Sequence, residues 1–340
     1  MRAAGCVIGG LLLLSLAACS GQGSAGGPAE RGSAATRAAS PTSAASTGLA
    51  SPAIDDDFPD PDVLRVGDAY FAYATNANTL NVRVARSTDL RHWELLDRDA
   101  LPALPSWVIK GKTWAPDVSE PSPGRFLMYV TATNSDPTLQ CIAVATATAP
   151  EGPFRIVGDR MLVCPRQEGG AIDAATFTDD DGERYLLWKN DGNCCGMDTW
   201  LQIAPLSADG LRLTGPARRL VKQDQPWEGA LIEAPTLRKR GQRYVLLYSG
   251  NDYGGADYAI GYATARSLDG PYLKGGEPLL STRSSGGAFL GPGGQDIVTA
   301  PDGHDRLVFH AWDEAKTYRA MHVIELDWQR TLPRAGKEAP

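Results

Sequence analysis

One short pattern recurs five times along the chain and restricts its fold more than any other feature. An acidic residue sits within or beside a short apolar run. The runs are Asp60-Pro61-Asp62-Val63-Leu64, Ala115-Pro116-Asp117-Val118, Ile172-Asp173-Ala174-Ala175-Thr176-Phe177, Ile232-Glu233-Ala234-Pro235-Thr236-Leu237 and Gln295-Asp296-Ile297-Val298. With Asp60, Asp117, Asp173, Glu233 and Asp296 as markers, the steps are 57, 56, 60 and 63 residues. After Glu233 a polar turn (Arg238 to Gln242) leads into the aromatic-rich run Tyr244–Tyr248 and then Tyr258–Thr264. The other units are built alike, with Val82–Arg86 alternating apolar and polar as a half-buried strand does. Unit endings repeat independently: Ser87 to Trp93, Ala149 to Phe154 and Ser267 to Tyr272 each close a turn with an aromatic plug. Strands and turns at such a period specify propeller blades. The expected fold is all-β, a five-bladed β-propeller in a single domain, with little helix.

The first 53 of the 340 residues stand outside this pattern. Residues 1–18 read as an export signal: Arg2 precedes a short apolar run, Leu11 to Leu14, that is too short and Gly-broken to span a bilayer. Leu16-Ala17-Ala18-Cys19 resembles the bacterial lipobox, which implies lipid on the Cys19 thiol. Residues 19–53 are rich in Gly, Ser, Ala, Thr and Pro, a flexible tether. The propeller is then expected over 54–330, with a loose tail at 331–340. The formal net charge is −7. Without the first 53 residues, which carry three Arg and one Glu, the balance is 30 basic to 39 acidic. Nucleic acid is excluded as a partner by that charge, and any membrane contact should run through the lipid alone. A monomer on the exported face of a bacterial membrane is expected.

Four cysteines remain after Cys6 and Cys19, an even number in an exported chain, which favours disulfides. Cys141 and Cys164 lie in strand-like runs of one repeat and are the preferred pair. Cys194 and Cys195 are left to form a vicinal bridge or remain thiols. Asp179-Asp180-Asp181-Gly182 lacks the ligand spacing of a calcium loop and reads as a hairpin turn.

Propeller blades present their first strands to the central channel, so Asp60, Asp173 and Glu233 should converge although they lie 113 and 60 residues apart. Gathered carboxylates raise one another's pKa, an unfavourable arrangement that a site can use. At this point the motifs resemble glycoside hydrolase family 43. Asp57-Phe58-Pro59-Asp60-Pro61-Asp62-Val63 looks like that family's first-blade motif, Ile172-Asp173-Ala174-Ala175 like its second, and Trp227-Glu228-Gly229 with Ile232-Glu233-Ala234-Pro235 like its third. Trp114-Ala115-Pro116-Asp117 and Phe309-His310-Ala311-Trp312 also look like family segments, so the likeness covers about residues 55–328. The resemblance implies Asp60 as general base, Glu233 as general acid, and Asp173 as the residue that tunes and holds the acid. Trp114, Trp227, Asp117, Gln295 and His310 are the expected substrate contacts, the two tryptophans as sugar-stacking walls.

The chain departs from the family at Gly291-Pro292-Gly293-Gly294, where many members have Gly-Pro-Gly-His. A structural calcium in the channel is therefore doubtful, although Gln295 or His310 could partly substitute, and no cofactor is required. The four histidines show no metal-binding spacing. Two carboxyls suffice to cleave a glycosidic bond if one is protonated and the other ionised. The family implies inversion, with Asp60 and Glu233 about 6.5–9.5 Å apart to admit a water. An exo-acting α-L-arabinofuranosidase or β-xylosidase is the first expectation and an endo-arabinanase the second. A non-catalytic carbohydrate-capture propeller is the rival from another class.

Overall fold

The computed structural model describes residues 48–338. The export signal, Cys19 and nearly all of the tether lie outside the described residues. Five small antiparallel sheets succeed one another along the chain, each with its strands hydrogen-bonded in sequence order. Blade 1 comprises Asp62–Val66, Ala69–Ala74, Arg83–Ser87 and Glu94–Leu95, and blade 2 Val108–Ser122, Arg125–Ser135, Thr138–Ala147 and Arg155–Ile156. Blade 3 comprises Ala171–Thr178, Arg184–Asn190, Trp200–Pro205 and Arg218–Lys222. Blade 4 has Ile232–Arg240, Arg243–Gly250, Ala259–Ala265 and Leu273–Lys274, with Leu280–Ser281 also pairing to its third strand. Blade 5 has Leu290–Thr299, Asp305–Trp312, Arg319–Gln329 and Leu332–Glu338. Helix is confined to three short 3-10 turns among the described residues. The arrangement is the expected five-bladed β-propeller.

Successive side chains of a strand point to opposite faces, and in a propeller each face meets a neighbouring blade. The second strands are therefore apolar on both faces and read as unbroken runs. In Tyr244–Tyr248, Leu246 and Tyr248 pack with Phe177 and Leu187 of blade 3, while Val245 and Leu247 pack with Ile297 and Leu307 of blade 5. Phe126 and Met128 likewise face blade 1, and Leu127 and Tyr129 face blade 3. Five clusters result, one in each gap between adjacent blades. Each buried Leu, Val or Phe contributes about 1.5–3 kcal/mol.

Polar links reinforce the gaps. Asp179, in the tight turn of blade 3, accepts from Lys239 Nζ and Tyr244 Oη of blade 4. Its backbone N–H bonds the Glu183 carbonyl at 2.9 Å, so the acidic triplet is a hairpin turn. In the gap between blades 1 and 2, the Cys141–Cys164 disulfide joins a strand of blade 2 to the connection leaving it. Cys194 and Cys195 are bridged to each other.

Two expected boundaries are corrected. Residues before 54 already belong to the propeller, because the N–H groups of Ala50 and Ala53 bond the carbonyls of Ala288 (2.9 Å) and Met321 (2.8 Å). The expected tail contains the outermost strand of blade 5, Leu332–Glu338, paired with Ile324–Gln329. As an edge strand it tolerates Pro333 and Gly336, residues that hide a strand in sequence. The ring closes where Ile54 bridges Met321 and the Phe58 N–H bonds the Arg319 carbonyl at 2.9 Å.

Asp62, Asp117 and Asp296 link adjacent blades inside the channel. Their Oδ2 atoms accept the backbone N–H groups of Val118 (2.9 Å), Thr176 (3.0 Å) and Val63 (3.0 Å). Burial raises all three pKa values, that of Asp117 to about 7; neighbouring carboxylates add to it at Asp62 and Asp117, while Arg184 opposes at Asp117 and Arg238 at Asp296. A carboxyl whose folded pKa is raised binds more protons folded than unfolded. The stability it contributes is complete below about pH 4 and is lost as pH rises toward 7 and beyond. Asp296→Asn keeps an acceptor for Val63 and removes one charge, so it should stabilise the protein at pH 8 and much less at pH 4. Thermal unfolding at both values checks this; equal destabilisation at both would show that charge is not what the site contends with.

Candidate active site

At the channel mouth the first strands share one unusual conformation. Asp60, Ala115, Asp173, Ala234 and Gly294 have φ of 53°, 41°, 55°, 52° and 57°. Ladder pairing skips at this point in blades 2 to 5, as a β-bulge requires. For a residue with a Cβ this conformation costs about 1–3 kcal/mol, so the surroundings must enforce it. They do so through the bulge amides. The N–H groups of Ala115, Asp173 and Gly294 donate to Thr75 Oγ1 (2.9 Å), Thr131 Oγ1 (3.1 Å) and Ser249 Oγ (2.9 Å). That of Asp60 donates to His310 Nδ1 at 3.0 Å. Each acceptor stands at or near the end of the second strand of the preceding blade.

Blade 3 breaks this rule. Lys189 holds the corresponding place and cannot accept a hydrogen bond. The Ala234 amide turns instead to Asp173 Oδ2 at 3.0 Å, while the fully buried Lys189 ammonium reaches Glu233 Oε2 at 3.3 Å. The exception to the fivefold pattern therefore falls where two of the expected site carboxylates meet.

The bulge also corrects the sequence alignment of the blades. Asp60 and Asp173 are equivalents, whereas Asp117 and Asp296 correspond to Asp62, two residues further on. Glu233 stands one residue before its bulge, a place taken by Trp114 in blade 2. Asp60 and Asp173 line one cavity of about 40 Å³ with Asp62, Asp117 and Asp296, room for a few waters.

Asp60 Oδ2 accepts from Thr75 Oγ1 at 2.7 Å, and Oδ1 lies 3.3 Å from His310 Nδ1 and 3.6 Å from Arg319 Nη1. Burial works to raise the Asp60 pKa, but the Arg319 guanidinium and the Thr75 hydroxyl outweigh it and hold the pKa well below the usual range. Burial, with Arg319, lowers the His310 pKa. The neutral ring can then accept the Asp60 N–H on Nδ1 and carry its own proton on Nε2. Asp173 is pushed well above the carboxylate range by burial and by the charges of Glu233 and Asp60, with Lys189 opposing. Glu233 is 9% exposed, and its Oε1 accepts from Tyr258 Oη at 2.8 Å. The Tyr258 ring stacks on His310, with centroids 5.8 Å apart. Near this mouth lie a carboxyl whose pKa is held down, Asp60, one whose pKa is pushed up, Asp173, and a third, Glu233, contacted by a buried ammonium and a phenol.

The expected substrate contacts divide. Trp114 stands half-buried at the mouth position described above. Trp227 is stacked on Tyr248 at 5.8 Å and packs over Gly250 and Gly261, so that face meets protein rather than sugar. Asp117 is a link between blades. Gln295 spends its amide internally, donating to the Ala234 carbonyl at 2.6 Å and accepting from Ser249 Oγ at 2.8 Å. His310 is fully buried beneath Asp60. Asp117 and Gln295 depart from expectation because side chains at a bulged strand end do not keep simple alternation, whereas His310 lies on the second strand of blade 5 and is turned under Asp60.

Lys189, Tyr258, Thr75 and Arg319 were missed. The place shared by Thr75, Thr131, Lys189, Ser249 and His310 recurs at steps of 56, 58, 60 and 61 and could have been found. Among the described residues no group of three or more His, Cys, Asp or Glu is arranged to hold a metal. A side chain at 294 would also meet His310, whose Nδ1 and Cε1 lie 2.6 and 2.7 Å from its Cβ position.

The family model for glycosyl hydrolases family 43 matches residues 49–330. The extracellular endo-α-(1→5)-L-arabinanase 1 of Bacillus subtilis (strain 168) is 26% identical over 294 residues, spanning 81% of this chain and 86% of the relative. The extracellular exo-α-(1→5)-L-arabinofuranosidase ArbA of Cellvibrio japonicus (strain Ueda107) is 27% identical over 313 residues, 82% of this chain and 86% of the relative. The crystal structure of a thermostable family-43 glycoside hydrolase superposes with a TM-score of 0.74 at 29% identity, covering 86% of this chain and 97% of that one.

Proposed function

The chain belongs to glycosyl hydrolases family 43, and from that premise we propose an inverting, exo-acting hydrolase that removes arabinofuranose or xylose from plant cell-wall polysaccharide or oligosaccharide. The observation that carries this reading is the opposed state of carboxyls at one mouth: Asp60 held ionised, Asp173 pushed up by its neighbours. On this reading Asp60 takes a proton from water as the water oxygen attacks the anomeric carbon. Glu233 gives its proton to the leaving oxygen, the glycosidic C–O bond breaks, and the configuration inverts. Asp173 holds the acid's neighbour in place through the Ala234 amide, and Trp114 offers the sugar a wall.

A panel of aryl α-L-arabinofuranosides, aryl β-D-xylosides, arabinan and arabinoxylan tests the reading. Release of monosaccharide is expected, with proton NMR of the first product showing the inverted anomer. Retained configuration would sink the water-and-base scheme, and no hydrolysis of any substrate would favour carbohydrate capture.

We further propose an exported monomer anchored through lipid on Cys19. The Leu16-Ala17-Ala18-Cys19 sequence supports this, as do the relatives described as extracellular. No helix among the described residues is long and apolar enough to cross a membrane. Cys19→Ser should move the protein from the membrane fraction to the soluble one, and unchanged fractionation would refute the anchor.

A further inference from the structure

The turn after the second strand of blade 3 is closed by a bond between adjacent cysteines, Cys194 and Cys195, at the end of the 3-10 turn Gly192–Cys195. Both cysteines are exposed, so the bridge adds nothing to the core. What the turn does touch is Lys189. The ammonium lies 2.6 Å from Asn193 Oδ1, 3.3 Å from Glu233 Oε2 and 3.7 Å from Asp191 Oδ1. Two of its three partners therefore come from this turn.

The turn is tied down on several sides. Cys194 N–H bonds the Asp191 carbonyl at 3.2 Å, and Met197 N–H bonds that of Gly192 at 2.9 Å. Gly192 is pressed so closely that a Cβ there would stand 2.5 Å from the Asp198 carbonyl oxygen. Cys194 Sγ sits against Gly169, 3.1 Å from where a Cβ on that residue would lie.

We propose that the Cys194–Cys195 bridge is a positioning element: by closing the turn it fixes Asn193 and Asp191 against Lys189, and so sets how strongly that ammonium acts on the Glu233 carboxyl. This rests on the reading of Glu233 as the acid. An ammonium drawn fully onto Glu233 would favour its ionised form and remove the proton the leaving oxygen needs. Asn193 and Asp191 hold the ammonium back. The charged and titratable groups facing Glu233 are Lys189, Asp191 and Asp173 from blade 3, Tyr258 from blade 4 and His310 from blade 5, with Asp60 acting on Asp173 and Tyr258 and Arg319 on Asp60. Of these, Lys189 and Asp191 are the two that the bridged turn governs.

The test is the pH dependence of kcat/KM, whose alkaline limb reports the acid. Cys194→Ser with Cys195→Ser, and separately Asn193→Ala, should move that limb down by about one pH unit with little change in KM. Asn193→Ala touches no cysteine and keeps the test open if the double variant folds poorly. Treating the wild type with a water-soluble phosphine should give the same shift. It cleaves the S–S bond to two thiols and becomes the phosphine oxide with oxygen from water. The double Ser variant should not respond, which separates this bridge from Cys141–Cys164. A limb that stays in place in both variants overturns the proposal, whatever happens to kcat. If the wild type cleaves no glycoside, the acid assignment falls and this inference with it; an active wild type with unmoved limbs removes the inference alone.

Discussion

Asp60→Asn is expected to lower kcat by about 10²–10⁴-fold, on aryl and unactivated glycosides alike. The amide keeps the shape of the side chain, and its oxygen can still accept from Thr75 Oγ1. The backbone bond to His310 is untouched, so the fold and the bulge should survive. What disappears is the ability to take a proton from water, which every substrate needs whatever its leaving group. A companion, Asp60→Gly, suits the φ of 53° at this position better than any side chain does. Its loss of turnover could not be blamed on strain. Azide, which attacks carbon without giving up a proton, should restore turnover to the Gly variant. Near-normal activity in Asp60→Asn would remove Asp60 from the reaction.

Glu233→Ala should separate substrates by leaving group. Unactivated arabino- or xylo-oligosaccharides should lose about 10²–10⁴-fold in kcat, whereas aryl glycosides with good leaving groups need little proton assistance and should lose far less. Ala also removes one of the three partners of the buried Lys189 ammonium, leaving Asn193 and Asp191, so it should cost about 1–3 kcal/mol of stability. Glu233→Gln, which retains an acceptor for Tyr258, is the control for that. Equal losses across leaving groups in both variants would argue that Glu233 is not the acid.

The two predictions depend on parts of the molecule that differ in how openly the sequence declared them. Blade number, strand order and the convergence of Asp60, Asp173 and Glu233 were legible from a period and from apolar runs, since faces buried between blades leave no choice of composition. The bulge was hidden. A single residue in a left-handed conformation shifts the register of the residues beyond it, so Asp117 and Asp296 were aligned with Asp60 although they match Asp62. Lys189 was hidden differently: Trp188-Lys189-Asn190 looks like an ordinary strand end, and only comparison with Thr75, Thr131, Ser249 and His310 exposes a cation where the other blades have acceptors. Leu332–Glu338 escaped because an edge strand faces solvent and can dispense with an apolar run.

Ring closure between the segment at Ile54–Phe58 and blade 5 has a consequence for the nascent chain. Hairpins and single blades rely on neighbours in sequence and can form as they emerge from the ribosome. Asp60, among the earliest folded residues to be synthesised, obtains His310 and Arg319 some 250 residues later. A prematurely terminated product lacking blade 5 would carry three intact carboxyl motifs and still leave Asp60 without His310 or Arg319.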